Sequence, residues 1–331
     1  MPPPPAARRY RGTPRNLACL ARCLRDGELV AVPTETVYGL AANALDARAC
    51  RKIFSAKGRP ANDPLIVHIH ALRDLALIAE PNAAALKLAK KFWPGPLTLV
   101  LPKKPVVPTV VSAGRRSVAV RMPAHPLFRR LLKLAGVPLA APSANPFGYV
   151  SPTTATHVQQ GLGRKIRHIL DGGVARIGLE STIVDLRDPR RPRLLRPGAI
   201  TRAELEHTLG CVVAWRRQAV TKATSAAQLS PGLLARHYSP KTPVVLHQKI
   251  VAAHTQPANE AWVFFAKPPG RRGRNVFWLD PQGGLRGAAR RLFSTLRRLD
   301  DGRFQKIHVE LARGAGLADA INDRLQRAAA R

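Results

Sequence analysis

Cysteine is scarce in this 331-residue chain, whose whole complement is Cys19, Cys23, Cys50 and Cys211. So few thiols build no disulfide framework. Cys19 and Cys23 stand one helical turn apart and could meet a metal, but no second pair completes a zinc site, and no metal is expected. They read as small core residues of a reducing, cytoplasmic compartment. Acid is equally short, with 20 Asp and Glu against 54 Lys and Arg and a formal net charge of +34. No run approaches the roughly 20 apolar residues of a spanning helix, so no membrane is expected as a partner. Several signatures are missing as well. Without G-x-x-x-x-G-K-[ST] the chain is not a P-loop NTPase. No G-x-G-x-x-G follows a strand with an acid about 20 positions on, which disfavours a dinucleotide fold. There is no G-x-S-x-G elbow for an acyl-enzyme nucleophile.

What is present is a 45% hydrophobic content, enough to fill proper cores. At roughly 150 residues per domain the length accommodates two domains. Residues 1–13 are Pro-rich and then basic, and read as a disordered tail. Basic pairs such as Arg8–Arg9, Arg115–Arg116 and Arg297–Arg298 are scattered along the chain and are not interleaved with aromatics. Such a field attracts polyanions non-specifically. Solvated Arg-rich faces and a direct RNA-contacting basic surface both remain open.

Hydrophobic periodicity predicts strands over 28–32, 65–69, 97–101, 117–122, 138–141, 168–170, 182–186 and 192–195. Helices are predicted over 47–56, 83–92, 126–135, 154–160 and 202–209, the last opened by the capping box of Thr201 and Glu204. This mixture argues an α/β fold with one large twisted, mixed sheet and flanking helices. Periodicity fades over 211–241, which has linker composition. It resumes in strands at 244–247, 262–265, 276–279 and 305–310 with helices at 285–299 and 317–327, a smaller open-sheet α/β domain spanning 242–331.

Four motifs carry chemistry. Pro33-Thr-Glu-Thr-Val-Tyr-Gly39 follows a strand, where open α/β sheets bind ligands, although Thr34 and Thr36 also suit simple turn bonding. Lys57 and Arg59 sit in a Gly/Pro-stiffened loop that suits a polyphosphate or carboxylate, or is a solvated basic loop. Ser143 and Asn145 share one face of an extended segment, and Thr153 and Thr154 stand where a helix start either holds phosphate or is merely capped. The glycines of Leu170-Asp-Gly-Gly173 and Gly178, with Glu180-Ser-Thr-Ile-Val-Asp185 and Arg193-Leu-Leu-Arg-Pro-Gly198, could close a nucleotide pocket. His68 and His70 share a strand face, but no carboxylate accompanies them for a metal.

Taken in register, these motifs, Trp93-Pro-Gly-Pro-Leu-Thr-Leu99 and Ala119-Val-Arg-Met-Pro123 resemble the YrdC-like L-threonylcarbamoyl-AMP synthases. Ser230-Pro-Gly-Leu-Leu-Ala-Arg-His-Tyr-Ser-Pro-Lys241 is similar to the linker of the longer two-domain type, with a departure at Leu233, Leu234 and Ala235. The resemblance implies a YrdC-like catalytic domain over 14–210, a linker or lid over 211–241 and the C-terminal domain beyond. It implies a nucleotidyltransferase that makes threonylcarbamoyl-AMP and pyrophosphate from L-threonine, bicarbonate and ATP, with Mg²⁺ carried by ATP, for tRNA modification next to the anticodon. Lys57, Arg59, Ser143 and Asn145 match the ATP constellation, with Lys57 and Arg59 as catalytic charges. Ser117, Ser151, Arg196 and Tyr238 match further nucleotide contacts. Thr36, His68, Arg121 and Ser181 match threonine positions. A downstream tRNA threonylcarbamoyl transferase is the implied partner. An RNA-binding module and a carbamoyl-transferring maturation domain are the alternatives; the latter would bring acylphosphatase-like and zinc-finger segments that are not seen here.

Overall fold

The computed structural model describes residues 6–215, 228–232, 237–251, 257–270 and 273–330. The chain opens with β1 (Arg8–Arg11), α1 (Pro14–Arg25), β2 (Val30–Val32), β3 (Gly39–Asn43), α2 (Ala47–Lys57) and β4 (Ile66–His68). A 3₁₀ turn at Leu72–Asp74 leads to α3 (Leu75–Ile78), α4 (Ala83–Phe92), β5 (Leu97–Pro102) and β6 (Ser117–Arg121). Next come α5 (Pro126–Ala135), β7 (Leu139–Ala140), α6 (Ala155–Leu162), β8 (His168–Asp171), β9 (Thr182–Asp185), β10 (Arg193–Arg196) and α7 (Arg202–Leu209). A second group holds β11 (Val244–His247), β12 (Glu260–Ala266), β13 (Val276–Asp280), α8 (Leu285–Leu299), β14 (Lys306–Glu310) and α9 (Leu317–Ala329).

The first group forms one mixed ten-stranded sheet in the order β1-β8-β2-β3-β7-β4-β6-β5-β9-β10. Its two faces bury separate cores. On one, the α1 stripe Leu17, Leu20, Ala21 and Leu24 packs with Phe128, Leu131, Leu132 and Ala135 of α5. Both stripes follow the i, i+3, i+4, i+7 spacing of an amphipathic helix. Each buried Leu or Phe contributes about 1.5–3 kcal/mol, so packing more than propensity holds these helices. The larger core on the other face includes Leu40, Ile53, Leu65, Val67, Leu88, Leu99 and Val120. The second group forms a four-stranded sheet in the order β11-β14-β12-β13, parallel throughout. The α/β architecture is therefore as expected. Among the described residues no helix is long and apolar enough to cross a membrane.

Three local expectations need correction. The segment read as a disordered tail contains β1, paired in parallel register with β8 from Arg8↔His168 to Arg11↔Asp171. Tyr10 is buried there and Arg9 pairs with Asp171 at 2.5 Å, so tertiary contacts order a stretch whose composition looked frayed. Helix α1 is not among the predicted helices, although Thr13 caps it by accepting from Asn16 N at 3.3 Å and Pro14 opens its first turn. Strand β3 is not among the predicted strands either: its Gly-Leu-Ala-Ala-Asn run has no β-branched residue and is made a strand by antiparallel partners on both sides. The segment after Gly210 stays on the sheet at first, since Leu194 N donates to Ala214 O at 2.9 Å. The departure at Leu233, Leu234 and Ala235 lies outside the described residues.

The two sheets share a seam. Val37, Val150, Leu179 and Tyr238 belong to the same apolar cluster as Phe293, Leu292 and Ile321 of the C-terminal domain. Arg297 donates to Val150 O at 2.5 Å and to Ser151 O at 3.3 Å. Gly178 has φ +82°, and a Cβ there would lie 2.6 Å from the Arg290 Cα of α8. Gly178→Ala therefore meets backbone that cannot move aside and a conformation that disfavours side chains. We expect it to lower stability by about 1–3 kcal/mol in urea unfolding, and an unchanged midpoint would show the seam to be looser than described.

Candidate active site

The turn between β2 and β3 divides its two threonines. Thr34 does turn work, with its hydroxyl donating to Val37 O at 2.6 Å and accepting from Thr36 N and Val37 N at 3.1 Å. Thr36, its hydroxyl 2.8 Å from that of Thr34, accepts from Arg121 Nη1 at 3.0 Å. Arg121, at the carboxyl end of β6, also donates to Glu35 Oε1 at 2.6 Å and to Gly95 O at 3.2 Å. Burial alone would raise the Glu35 carboxyl, but the Arg121 charge and its hydrogen bonds hold it below its usual range. His68 ends β4, the strand next to β6, and lines the same cavity. Ser181 shares a 2.7 Å hydroxyl contact with Thr98 and accepts from Arg196 Nη2 at 3.2 Å. Hydroxyls, one imidazole and one guanidinium thus converge at neighbouring strand ends.

The other end of the cavity is cationic. Lys57 closes α2, and its ammonium donates to the main-chain carbonyls of Ser143, at 2.6 Å, and Asn145. Arg59 pairs with Asp63 at 2.9 Å and donates to Pro64 O at 2.7 Å. Arg196 of β10 reaches Ser181 O at 3.1 Å and Pro231 O at 3.3 Å. All three cations are buried. Burial and the nearby Arg59 push Lys57 well below its ordinary pKa, and burial likewise lowers Arg59 and Arg196. An anion of high charge density would relieve this cost directly.

Pro231, Gly232, His237 and Tyr238 of the linker close the cavity, leaving a volume of about 40 Å³. Gly232 has φ +81°, and a Cβ there would crowd Arg196 Nη1 and the Tyr238 hydroxyl, each at 2.9 Å. Tyr238 is fully buried, with its ring 5.4 Å from that of Phe293 and 4.1 Å from that of His237. Glu180 accepts from Ser151 at 2.5 Å and from Arg324 Nε at 2.9 Å, which ties the wall to α9. His68 Nδ1, Asn145 Oδ1, Ser230 Oγ, His237 Nδ1 and the Tyr238 hydroxyl are buried polar atoms with no hydrogen-bond partner among the described residues. Three of these residues, His68, His237 and Tyr238, line the cavity, and buried polar groups of that kind are usually paired unless they serve a ligand.

Of the residues implied for substrates, Thr36, Arg59, His68, Arg121, Ser143, Ser181, Arg196 and Tyr238 line the cavity. Lys57 stands behind the Ser143–Asn145 loop, and Ser151 behind Glu180. Ser117 opens β6, four residues before Arg121 on the same strand face, and does not line the cavity. Thr154 is an ordinary helix cap, accepting from His157 N at 3.1 Å, and Thr153 bonds the His157 ring. The Gly172–Gly173 turn is held by the Tyr38 hydroxyl, which donates to Gly173 O at 2.7 Å, and it too is absent from the cavity wall. The sequence motifs do not single out Glu180 or His237. Glu180 opens the quoted Glu-Ser-Thr-Ile-Val-Asp run, but its partner Arg324 is 144 positions away.

The Sua5_yciO_yrdC family profile, described as Telomere recombination, matches residues 22–198. A second profile, described as Threonylcarbamoyl-AMP synthase, C-terminal domain, matches residues 200–330. The chain belongs to the Sua5/YciO/YrdC family. It is 42% identical to the threonylcarbamoyl-AMP synthase of Pyrococcus abyssi, over 92% of this chain and 91% of that protein. With the Bacillus subtilis threonylcarbamoyl-AMP synthase the identity is 38%, over 95% and 92% of the two chains. The crystal structure of P. abyssi Sua5 complexed with L-threonine superposes with a TM-score of 0.88 and 39% identity, covering 98% of this chain and 97% of that one. The two profiles meet between residues 198 and 200, just ahead of α7.

His68 carries a pH-dependent consequence. Burial, with Arg121 beside it, lowers its pKa to about 3. In the unfolded chain the imidazole takes up a proton near pH 6.5, and the folded one does not until far lower. Stability is therefore fully present above the unfolded pKa and declines as pH falls from about 6.5 toward 3, by at most about 1.4 kcal/mol per pH unit for this group. His68→Gln is expected to shrink the stability loss between neutral pH and about pH 4.5 by on the order of 2 kcal/mol. Urea unfolding at both pH values measures it, and an unchanged difference would contradict a neutral, buried His68.

Proposed function

We propose that this chain is a threonylcarbamoyl-AMP synthase, a nucleotidyltransferase that joins L-threonine, bicarbonate and ATP and releases pyrophosphate. The observation that carries this reading is one closed cavity with two chemistries. Buried cations at Arg59 and Arg196, with Lys57 just behind, suit a triphosphate, while Thr36, His68, Arg121 and Ser181 suit a small hydroxy amino acid. The threonine amine captures carbon dioxide or bicarbonate as a carbamate. A carbamate oxygen then attacks the α-phosphorus and pyrophosphate departs. No side-chain nucleophile takes part, so rate comes from positioning and from charge stabilisation at phosphorus. Because Glu35 holds one edge of Arg121, the guanidinium offers the threonine carboxylate its Nη1 edge beside Thr36.

Magnesium arrives as part of the nucleotide substrate. The three carboxylates at or near the cavity are each paired, Glu35 with Arg121, Asp63 with Arg59 and Glu180 with Arg324. A pocket that takes a drug-sized ligand measures roughly 300–1,000 Å³, so the linker residues must withdraw to admit ATP. Their return shields the labile adenylate from water, the role of a lid. The product feeds a separate tRNA threonylcarbamoyl transferase, with direct RNA contact through the basic surface as a further expectation.

The test uses ¹³C-labelled bicarbonate with ATP, L-threonine and the full chain. The expected product is an adenylate that carries the label, identified by mass spectrometry. Unlabelled AMP or ADP as the sole product would overturn the assignment.

A further inference from the structure

A second set of chemically capable side chains lies outside the substrate cavity, and the proposed synthase reaction makes no use of it. The Cys23 thiol, a Glu28 carboxylate oxygen and a His168 ring nitrogen all lie within 4.8 Å of one another. They come from different parts of the chain: α1, the segment after it, and strand β8. No other group of three such donors gathers in this way among the described residues. Cys19, one turn earlier on the same face of α1, stands outside this group of three and reaches it by side-chain rotation. From sequence this pair lacked partners, and the fold supplies an imidazole and a carboxylate.

The arrangement around His168 suits a ligating ring. Its Nε2 faces Glu28 Oε2 at 3.0 Å, while the Tyr10 hydroxyl meets Nδ1 at 3.1 Å. Tyr10 thus fixes the ring and leaves Nε2 directed into the cluster, the outer support that metal-bound histidines usually have. Tetrahedral zinc, with bonds of about 2.0–2.3 Å, sets its donors roughly 3.3–3.8 Å apart, so small side-chain rotations close the set. Two thiolates and a carboxylate around a divalent cation leave one net negative charge. The surroundings can absorb it: Arg8 lies 5.0 Å from the Tyr10 ring, and Arg48, Arg51, Lys52, Lys165 and Arg167 line the groove that Glu28 borders.

We infer that Cys19, Cys23, Glu28 and His168 bind one thiophilic divalent cation of the zinc class, with Tyr10 as the residue that positions His168. Four protein donors leave no open coordination position, so the centre is structural. It would tie α1 to β8, beside the parallel pairing that holds β1 in the sheet. Binding releases the thiol protons to solvent, as thiolate ligation requires.

The experiment titrates reduced, metal-stripped full-length protein with Co²⁺ and then Zn²⁺. The expected result is one equivalent of Co²⁺ giving thiolate charge-transfer absorption and tetrahedral d–d bands, displaced by Zn²⁺, with a higher Tm in Zn²⁺. Cys23→Ser and His168→Gln should abolish the signal, and Cys211→Ser should leave it intact. Tyr10→Phe should weaken binding by about 10–100-fold while the chain stays folded, and it carries the test should either ligand variant not fold. Absence of thiolate charge transfer in the unsubstituted chain would overturn the proposal. So would a Co²⁺ signal that survives in folded His168→Gln, or an affinity unchanged by Tyr10→Phe.

Discussion

Lys57→Ala is expected to slow pyrophosphate release by about 10²–10³-fold, on the order of 2.7–4 kcal/mol of barrier, the range found on removing one preorganised charge-stabilising donor. Lys57 is fully enclosed, its pKa depressed by burial and by Arg59, and its ammonium is held by the carbonyls of Ser143 and Asn145. Those bonds aim a cation at the loop that edges the cavity before any phosphate is present. In a water-poor site such preorganisation acts strongly on developing negative charge. Since the same bonds also brace the loop, the rate is measured at saturating ATP and threonine, with urea unfolding to confirm the fold. A well-folded variant within about threefold of the parent rate would remove Lys57 from the chemistry.

Arg324→Met should cost about 3–5 kcal/mol of stability, because it strands a buried carboxylate. Arg324 is fully buried and donates to Glu180 at 2.9 Å, to Asp323 at 2.6 Å and to Pro197 O at 3.0 Å. Its guanidinium also lies 5.3 Å from the Tyr238 ring. Despite a burial penalty, the surrounding Tyr238, Glu180 and Asp323 keep it firmly charged. One residue of the C-terminal domain thereby fastens both the cavity wall and the closing linker. Adding Glu180→Gln to Arg324→Met should recover much of the loss, since the stranded charge is gone. Equilibrium urea unfolding of the two variants decides it. A single-variant loss below about 1 kcal/mol would mean that Glu180 is not dependent on Arg324.

The part of the site built from contiguous motifs was legible in sequence. Thr36, Arg121 and Ser143 fall in turns or at strand ends, where apolar runs give way to hydroxyls and charge, and the structure gathers them around one cavity. The motifs could not separate residues with the same local pattern. Thr34 and Thr36 are two positions apart, yet one completes a turn and the other meets Arg121. Ser117 and Arg121 share a strand, yet only the arginine reaches the cavity. Partners far apart in the chain were invisible, as with Glu180 and Arg324, or Lys57 and the carbonyls beyond Pro142. Strand β3 was illegible for the same reason, since its identity lies in its neighbours. Helix α1 was different: Leu17, Leu20, Ala21 and Leu24 announce it plainly, and the pattern was there to be read.

The most direct test of the central claim is pyrophosphate release from ATP by the full chain, with L-threonine and bicarbonate supplied singly and together. The account predicts release only when both are present, with L-serine a poor substitute. Release that ignores either one, or no release from a folded chain under any combination, would contradict it.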